Sequence, residues 1–298
     1  MQLEFTKLQG LGNDYLYFDA QSGNPVNPDW PRVAQSLCDR HFGVGADGII
    51  VLLPSTHAVT RMRIWNADGS EAEMCGNGFR GVVKWLYDRG TRDFSRGIET
   101  GAGLLMPEVI AAEGGLVRQV RVMMGVPDFT RRAVGIDDSS DEFLEKTLRM
   151  DDITLNVSAV SMGNPHLVII GDLWSVDHMA LWGPLLEHHP WFPPRVNVHS
   201  MAIGSPNTLH LLHWERGAGL TLACGTGAAG AAAVALRLGH VKSPVQVQVP
   251  GGCLDVEWAG PGSPLYLTGP SEEVFSGVVS WDPTRRLPVR KEANPNGV

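Results

Sequence analysis

Cys75-Gly76-Asn77-Gly78 and Cys224-Gly225-Thr226-Gly227 repeat one pattern, and each stands where a helix should begin. Glycines beside a cysteine let a ligand approach the backbone closely. The first turn of a helix carries unpaired N–H groups and positive partial charge. That combination binds a carboxylate and favours the thiolate form of a cysteine, which titrates at about 8.5 without such help. Two such helix starts facing each other would grip one α-carboxylate. One sulfur could then remove the α-proton while the other delivers a proton to the opposite face. The same N–H groups would stabilise the charge that develops as the proton leaves. Cys38 and Cys253 have no such surroundings and read as small buried hydrophobes.

The two cysteines lie 149 residues apart (224 − 75) in a chain of 298, which suggests a duplicated unit. Asn13 precedes Cys75 by 62 residues, and Asn164 precedes Cys224 by 60. Nine residues before each cysteine a polar residue closes a β-like run: Asn66 after Arg61–Trp65, and Glu215 after Leu209–Trp214. The elements that must position these groups follow from pattern. A strand-like run at Leu3–Lys7 leads through the Gly10–Asp14 turn to a second strand at Tyr15–Phe18. A short helix is expected over Pro31–Arg40, and a glycine-rich turn at 43–48 feeds the apolar strand Ile49–Leu53. Phe79 to Arg89 reads as a helix stopped by Gly90. Further strands are expected near Leu116–Met123, Ile153–Ala159, His166–Ile170, Val245–Val249 and Leu254–Trp258, with a helix near Val176–Leu181. Asp137–Glu142 reads as an acidic surface insertion. The run Ala228–Leu236 is apolar on all faces, so its helix must be enclosed, and many short strands around it imply a sheet wrapped about a central helix.

The expected class is therefore α+β. We expect two pseudo-symmetric domains from an internal duplication, each a mostly antiparallel sheet or barrel around a central helix. Residues 1–124 with about 268–283 would carry Cys75, residues 125–267 would carry Cys224, and 284–298 would be a frayed tail.

Composition narrows the partners. Hydrophobic residues make up 43% of the chain, enough for two ordinary cores. The net charge of −8 and the absence of a basic run argue against nucleic acid. Residues 1–7 lack the apolar stretch of a signal peptide, and no run reaches the length of a membrane span. Four unevenly spaced cysteines do not form a disulfide framework, which points to a reducing cytoplasm.

Other chemistries fit less well. G-x-G-x-x-G occurs at Gly43–Gly48, Gly76–Gly81 and Gly225–Gly230. A dinucleotide site also needs an acidic residue ending the next strand, but Val245–Val249 runs into Pro250-Gly251-Gly252. No phosphate-binding P-loop is present, the five lysines lie outside any phosphate cup, and His188-His189 lacks metal-ligand spacing. No cofactor and no metal are expected.

Six motifs in order resemble the diaminopimelate epimerase family, pyridoxal-independent amino-acid epimerases. They are Gly10–Asp14, Arg40–Gly48, Trp65–Gly78, Met162–His166, Arg195–Asn197 and Glu215–Gly227. The resemblance implies interconversion of LL- and meso-2,6-diaminopimelate in lysine and often peptidoglycan biosynthesis. It also implies an active site in the cleft between two domains, and a homodimer is possible. It makes Cys75 and Cys224 the acid–base pair and Gly76, Asn77, Gly225 and Thr226 the carboxylate cradle. Asn13, Asn66, Asn164, Asn197, Glu215 and Arg216 would hold the substrate, with Arg216 and the asparagines on its distal end. His166 and Glu215 resemble groups that assist the thiols. Leu220 stands where many members carry glutamate, and Gly48 where some carry glutamine. A racemase of another amino acid such as histidine is the nearest alternative. A non-catalytic amino-acid-binding protein, or a thiol switch closing a Cys75–Cys224 disulfide, is a more distant one.

Overall fold

The computed structural model describes residues 1–21, 28–150 and 153–284. The expected frayed tail lies, from residue 285 on, outside the described residues. The chain opens with β1 (Gln2–Gly10), β2 (Asn13–Asp19), α1 (Trp30–Leu37), β3 (Gly48–Leu53), β4 (Arg61–Asn66), β5 (Glu71–Ala72), α2 (Gly76–Asp88), β6 (Ile98–Thr100) and β7 (Gly103–Leu105). It continues with β8 (Glu108–Glu113), β9 (Leu116–Gly125), β10 (Lys146–Met150), β11 (Ile153–Ser161), β12 (Pro165–Ile170), α3 (Val176–Glu187) and β13 (Asn197–Ser205). It ends with β14 (Thr208–Glu215), β15 (Gly219–Thr221), α4 (Gly225–Arg237), β16 (Val245–Val249), β17 (Gly252–Trp258), β18 (Leu265–Pro270) and β19 (Glu272–Ser280).

These strands form two sheets. One runs β19-β1-β2-β3-β4-β6-β7 with β5 on β4, and the other runs β10-β11-β12-β13-β14-β16-β17-β18-β9-β8 with β15 on β14. The duplication is written in their pairings. Through β1-β2-β3-β4-β6 the neighbours alternate antiparallel, parallel, antiparallel, parallel. Through β11-β12-β13-β14-β16 they do the same. Parallel neighbours need a crossover, and α1, α2, α3 and α4 supply the four in corresponding places. In both halves a short strand, β5 or β15, folds back on the strand before it and delivers the chain to a cysteine.

Each central helix is enclosed as its composition requires. In α4, Ala228, Ala229 and Ala231–Ala235 are all buried, packed against Val247, Leu254, Val256, Leu265 and Leu267. Burying each such branched side chain contributes roughly 1.5–3 kcal/mol. In α2, Phe79, Val82, Val83 and Leu86 bury against Ile50, Met62, Ile64 and the β9 valines 117, 120 and 122. The far face of the first sheet is closed by α1 through Trp30, Val33 and Leu37. β9 serves both halves. Grouped by sequence with the first domain, it hydrogen-bonds to β18 of the second sheet while its valines fill the core around α2.

The glycine pattern that mimics a nucleotide motif has a packing cause. A Cβ on Gly78 would meet Ile50 Cδ1 at 2.6 Å, and one on Gly227 would meet His199 Cε1 at 2.3 Å. Three residues on, Gly81 faces the Tyr17 hydroxyl at 1.9 Å and Gly230 faces Val160 at 2.9 Å. The second and third glycines of each run therefore let the helix sit on its sheet. Among the described residues a Cβ on Gly225 would meet nothing within 4 Å, and one on Gly76 only Met124 at 3.5 Å or more. The acidic segment 137–142 is an irregular stretch that follows the turn at 131–135 and is tied down by the Arg131–Asp137 and Arg237–Glu142 ion pairs. Cys253, expected to be buried, is exposed on β17, because its place in that strand alternates outward. Among the described residues no helix is long and apolar enough to cross a membrane.

Candidate active site

Cys75 and Cys224 are the N-cap residues of α2 and α4, both with extended backbone. Their surroundings differ. Cys75 Sγ caps its own helix by accepting from Gly78 N at 3.4 Å, and it accepts the Tyr15 hydroxyl at 3.4 Å. Asn13 Oδ1 lies 3.9 Å from the same sulfur. Asn77 Nδ2 donates to Asn13 O and Oδ1 at 2.7 and 2.8 Å, and Arg80 Nη2 donates to Asn77 Oδ1 at 3.2 Å. Arg80 is buried, and burial pulls its value down to about 10. Behind Asn13 a charged cluster fixes its amide: Nδ2 donates to Asp47 Oδ2 at 2.8 Å, and Arg40 bridges Asp47 and Asp14.

Cys224 is buried and makes no side-chain cap; its sulfur lies 3.7 Å from Thr226 Oγ1. Burial pushes the Cys224 thiol well up, and the neighbouring Glu215 carboxylate adds to the shift. Glu215 is itself pushed up by burial, opposed by its hydrogen bond with Cys224 and reinforced by the charge of Asp47. The Glu215–Cys224 pair thus favours one shared proton over two charges.

Asn164, His166, Asn197 and Arg216 gather on the β12–β13–β14 side, whereas Asn66 lies in the other sheet. Asn164 Nδ2 donates to Thr226 Oγ1 at 3.5 Å, and Asn164 Oδ1 lies 2.9 Å from His166 Nε2. The other His166 nitrogen is 2.8 Å from His199 Nε2, so both are taken up away from the sulfurs. Asn197 donates to Pro165 O at 2.9 Å and accepts from Arg216 N at 3.0 Å. Arg216 is exposed, with Nη1 on Pro194 O at 2.9 Å. The loop that carries it is held by buried Glu187, which accepts from Gly217 N at 3.0 Å and from Trp214 Nε1 at 2.8 Å. Asn66 sits at the end of β4 and donates to Ser70 Oγ at 3.0 Å.

The two halves meet at this point. α2 contacts α4. Leu11, at the tip of the β1–β2 hairpin, is buried in the core around α4. A Cβ on Gly12 would strike Leu222 Cδ1 at 2.6 Å, two residues before Cys224, while the next residue, Asn13, reaches Cys75. Asp47 of the first half is near enough to raise Glu215 of the second. Tyr15, Asp47, Arg80, His199 and His213 join this neighbourhood through contacts that no sequence motif assigns to them. Tyr15 and Tyr17 alternate on β2, which places both hydroxyls toward α2; that period was the available signal. Two surface hollows of about 530 and 730 Å³ lie beside Arg89 and β19, and neither contains a cysteine.

The diaminopimelate epimerase family model matches residues 5–130 and 158–274. The chain belongs to the diaminopimelate epimerase family. Diaminopimelate epimerase of Pelotomaculum thermopropionicum is 46% identical over 278 residues, covering 92% of this chain and 98% of the relative. That of Desulfitobacterium hafniense is 42% identical over 282 residues, covering 94% and 99%. Among solved structures, a Bacillus anthracis phenazine biosynthesis protein of the PhzF family superposes with a TM-score of 0.68 at 17% identity, over 94% of this chain and 100% of that one. A hydroxyproline epimerase from Agrobacterium vitis superposes with a TM-score of 0.63 at 16% identity, over 95% and 94%. At those identities the likeness establishes the fold: two sheet domains about central helices, α+β as expected from the sequence.

Proposed function

We propose that this chain interconverts LL- and meso-2,6-diaminopimelate by a two-base mechanism, with Cys75 and Cys224 as the acid–base pair. The observation that carries the proposal is the joining of two helix starts, each with a cysteine at its N-cap position, through the Asn13–Gly12–Leu222 path, in a chain of this family. The substrate α-carboxylate binds the N–H groups at Gly76, Asn77, Gly225 and Thr226. One thiolate takes the α-proton, and charge moves into the carboxylate, where helix dipoles and N–H groups stabilise it. The opposite thiol then protonates the other face. Tyr15 holds the Cys75 sulfur in place, and Glu215 shares a proton with Cys224. Arg216, with Asn13, Asn66, Asn164 and Asn197, holds the distal amino-acid end, which an α-monocarboxylic substrate lacks. His166 acts on the substrate through Asn164.

The enzyme works in the cytoplasm on this reading, where free thiols persist. It also pairs as a homodimer through β19, an edge strand that exposes Val274, Phe275 and Val278. Light scattering should return twice the chain mass, and a monomer at micromolar concentration defeats that part.

The deciding assay is deuterium wash-in at the α-carbon of pure LL-diaminopimelate in D2O, with no added cofactor. Exchange with inversion is expected, and Cys75→Ala or Cys224→Ala should lower inversion at least about a thousandfold. Inversion surviving either change, or turnover confined to monocarboxylic amino acids, contradicts the reading.

A further inference from the structure

Three imidazoles form a continuous buried chain beneath the first turn of α4. His166, His199 and His213 stand on the adjacent strands β12, β13 and β14, and all three are fully buried. His213 Nδ1 lies 2.8 Å from His199 Nδ1, His199 Nε2 lies 2.8 Å from His166 Nδ1, and His166 Nε2 lies 2.9 Å from Asn164 Oδ1. The His199 ring fills the space left by Gly227, and His166 Cδ2 would lie 3.6 Å from a Cβ on Gly230.

A neutral imidazole has one N–H and one lone pair. Burial keeps all three neutral, pulling His166 down to about 3, His213 to about 4 and His199 well below its ordinary value. The positive end of α4 above them acts in the same direction. Three neutral rings in series must all donate in one direction, so only two arrangements exist. If the chain donates toward Asn164, His213 Nδ1–H, His199 Nε2–H and His166 Nε2–H each give their proton forward. His213 Nε2, which is buried without a partner among the described residues, is then a lone pair. If the chain runs the other way, that atom becomes a buried N–H with no acceptor. An orphaned N–H is the rarer and costlier defect. The first arrangement also commits the Asn164 oxygen to His166 and leaves its Nδ2 hydrogens for Thr226 and the cleft.

We infer that His199 and His213 are positioning residues whose one-way hydrogen-bond chain through His166 locks the Asn164 amide as a donor to the substrate. Asn164 then selects an acceptor, a carboxylate oxygen, over an ammonium group at the position it faces. This rests on the reading that Asn164 touches the distal end of the substrate.

Two measurements test it. In the full-length enzyme labelled with 15N-histidine, long-range 1H–15N spectra report which ring nitrogen carries the proton. The expectation is Nε2–H for His166 and His199 and Nδ1–H for His213, with the His213 signals identified by their loss in His213→Asn. A proton on His213 Nε2, or a charged ring at neutral pH, overturns the inference. The second measurement compares His213→Leu with His213→Asn. These side chains are similar in shape, but the Asn amide can place a donor where His213 Nδ1 stood. Leu should raise KM for LL-diaminopimelate about tenfold with kcat within about threefold, and Asn should recover most of that loss. Equal behaviour of the two variants, or a fall in kcat alone, overturns it. If His213→Leu does not fold, the spectra of the unaltered enzyme still decide. If the unaltered enzyme turns over no diaminopimelate, the functional reading fails, and the spectra judge the chain of imidazoles on its own.

Discussion

Tyr15 is the side chain that most distinguishes the two sulfurs. Its hydroxyl donates to Cys75 Sγ, whereas Cys224 has the Glu215 carboxyl and the Thr226 hydroxyl. A hydrogen bond to an ionised group contributes about 1.5–3 kcal/mol. Tyr15→Phe keeps the buried ring, so the fold should stand while kcat for LL-to-meso turnover falls about tenfold. A circular dichroism melt beside initial rates checks both halves of that expectation, and an unchanged kcat removes Tyr15 from the mechanism. The cysteines stand out in the chain because each sits with its glycines at a helix start within four residues and has a twin 149 positions away. Tyr15 does not, since its partner is 60 positions away.

Under the proposed function the helix start is the element that carries the chemistry, and its glycines divide by task. Gly227 has no room for a methyl group because His199 occupies it, so Gly227→Ala should destabilise the protein by about 1–3 kcal/mol in urea unfolding. Gly225 faces open space among the described residues, and Gly225→Ala should leave stability within about 0.5 kcal/mol while lowering kcat/KM at least tenfold, because under the proposed function the new methyl enters the carboxylate cradle. Equal loss of stability in both variants would contradict this division. The composition of α4 points to an enclosed helix, since alanine on every face leaves no polar side for water. The three-residue offset between the packing glycines was visible too, but which of them face a sheet and which face a ligand required the neighbours.

At the scale of the whole molecule, the buried histidines make the fold acid-sensitive. The unfolded chain takes up protons at its histidines near pH 6.5, whereas the folded chain resists until about 4 at His213 and about 3 at His166. Between those limits the unfolded state binds more protons, so stability rises with pH and is lost on acidification. Each imidazole contributes on the order of 1 kcal/mol per pH unit in that window. The urea midpoint should fall as the pH is lowered from 7 to 5, and His213→Asn should flatten the fall. A midpoint independent of pH would place these rings in contact with water. The halves are also locked together by Leu11, which sits at a φ of 58° and buries in the opposite core. A non-glycine residue in that region costs energy, and its burial among the α4 neighbours offsets the strain.

Local pattern was enough to recover the duplicated strand–turn–helix unit, the enclosed helix and the two cysteine tetrads, because residues that define a helix start or an apolar face lie within a turn of one another. It was also enough for the family, whose motifs are contiguous. The sharing of β9 between two sheets, the insertion of Leu11 into the second core and the stacking of His166, His199 and His213 were not recoverable that way. Each depends on strand order and on contacts between residues far apart in the chain. Burial, which keeps those imidazoles neutral and raises Cys224 and Glu215, exists only once both sheets have closed around their helices.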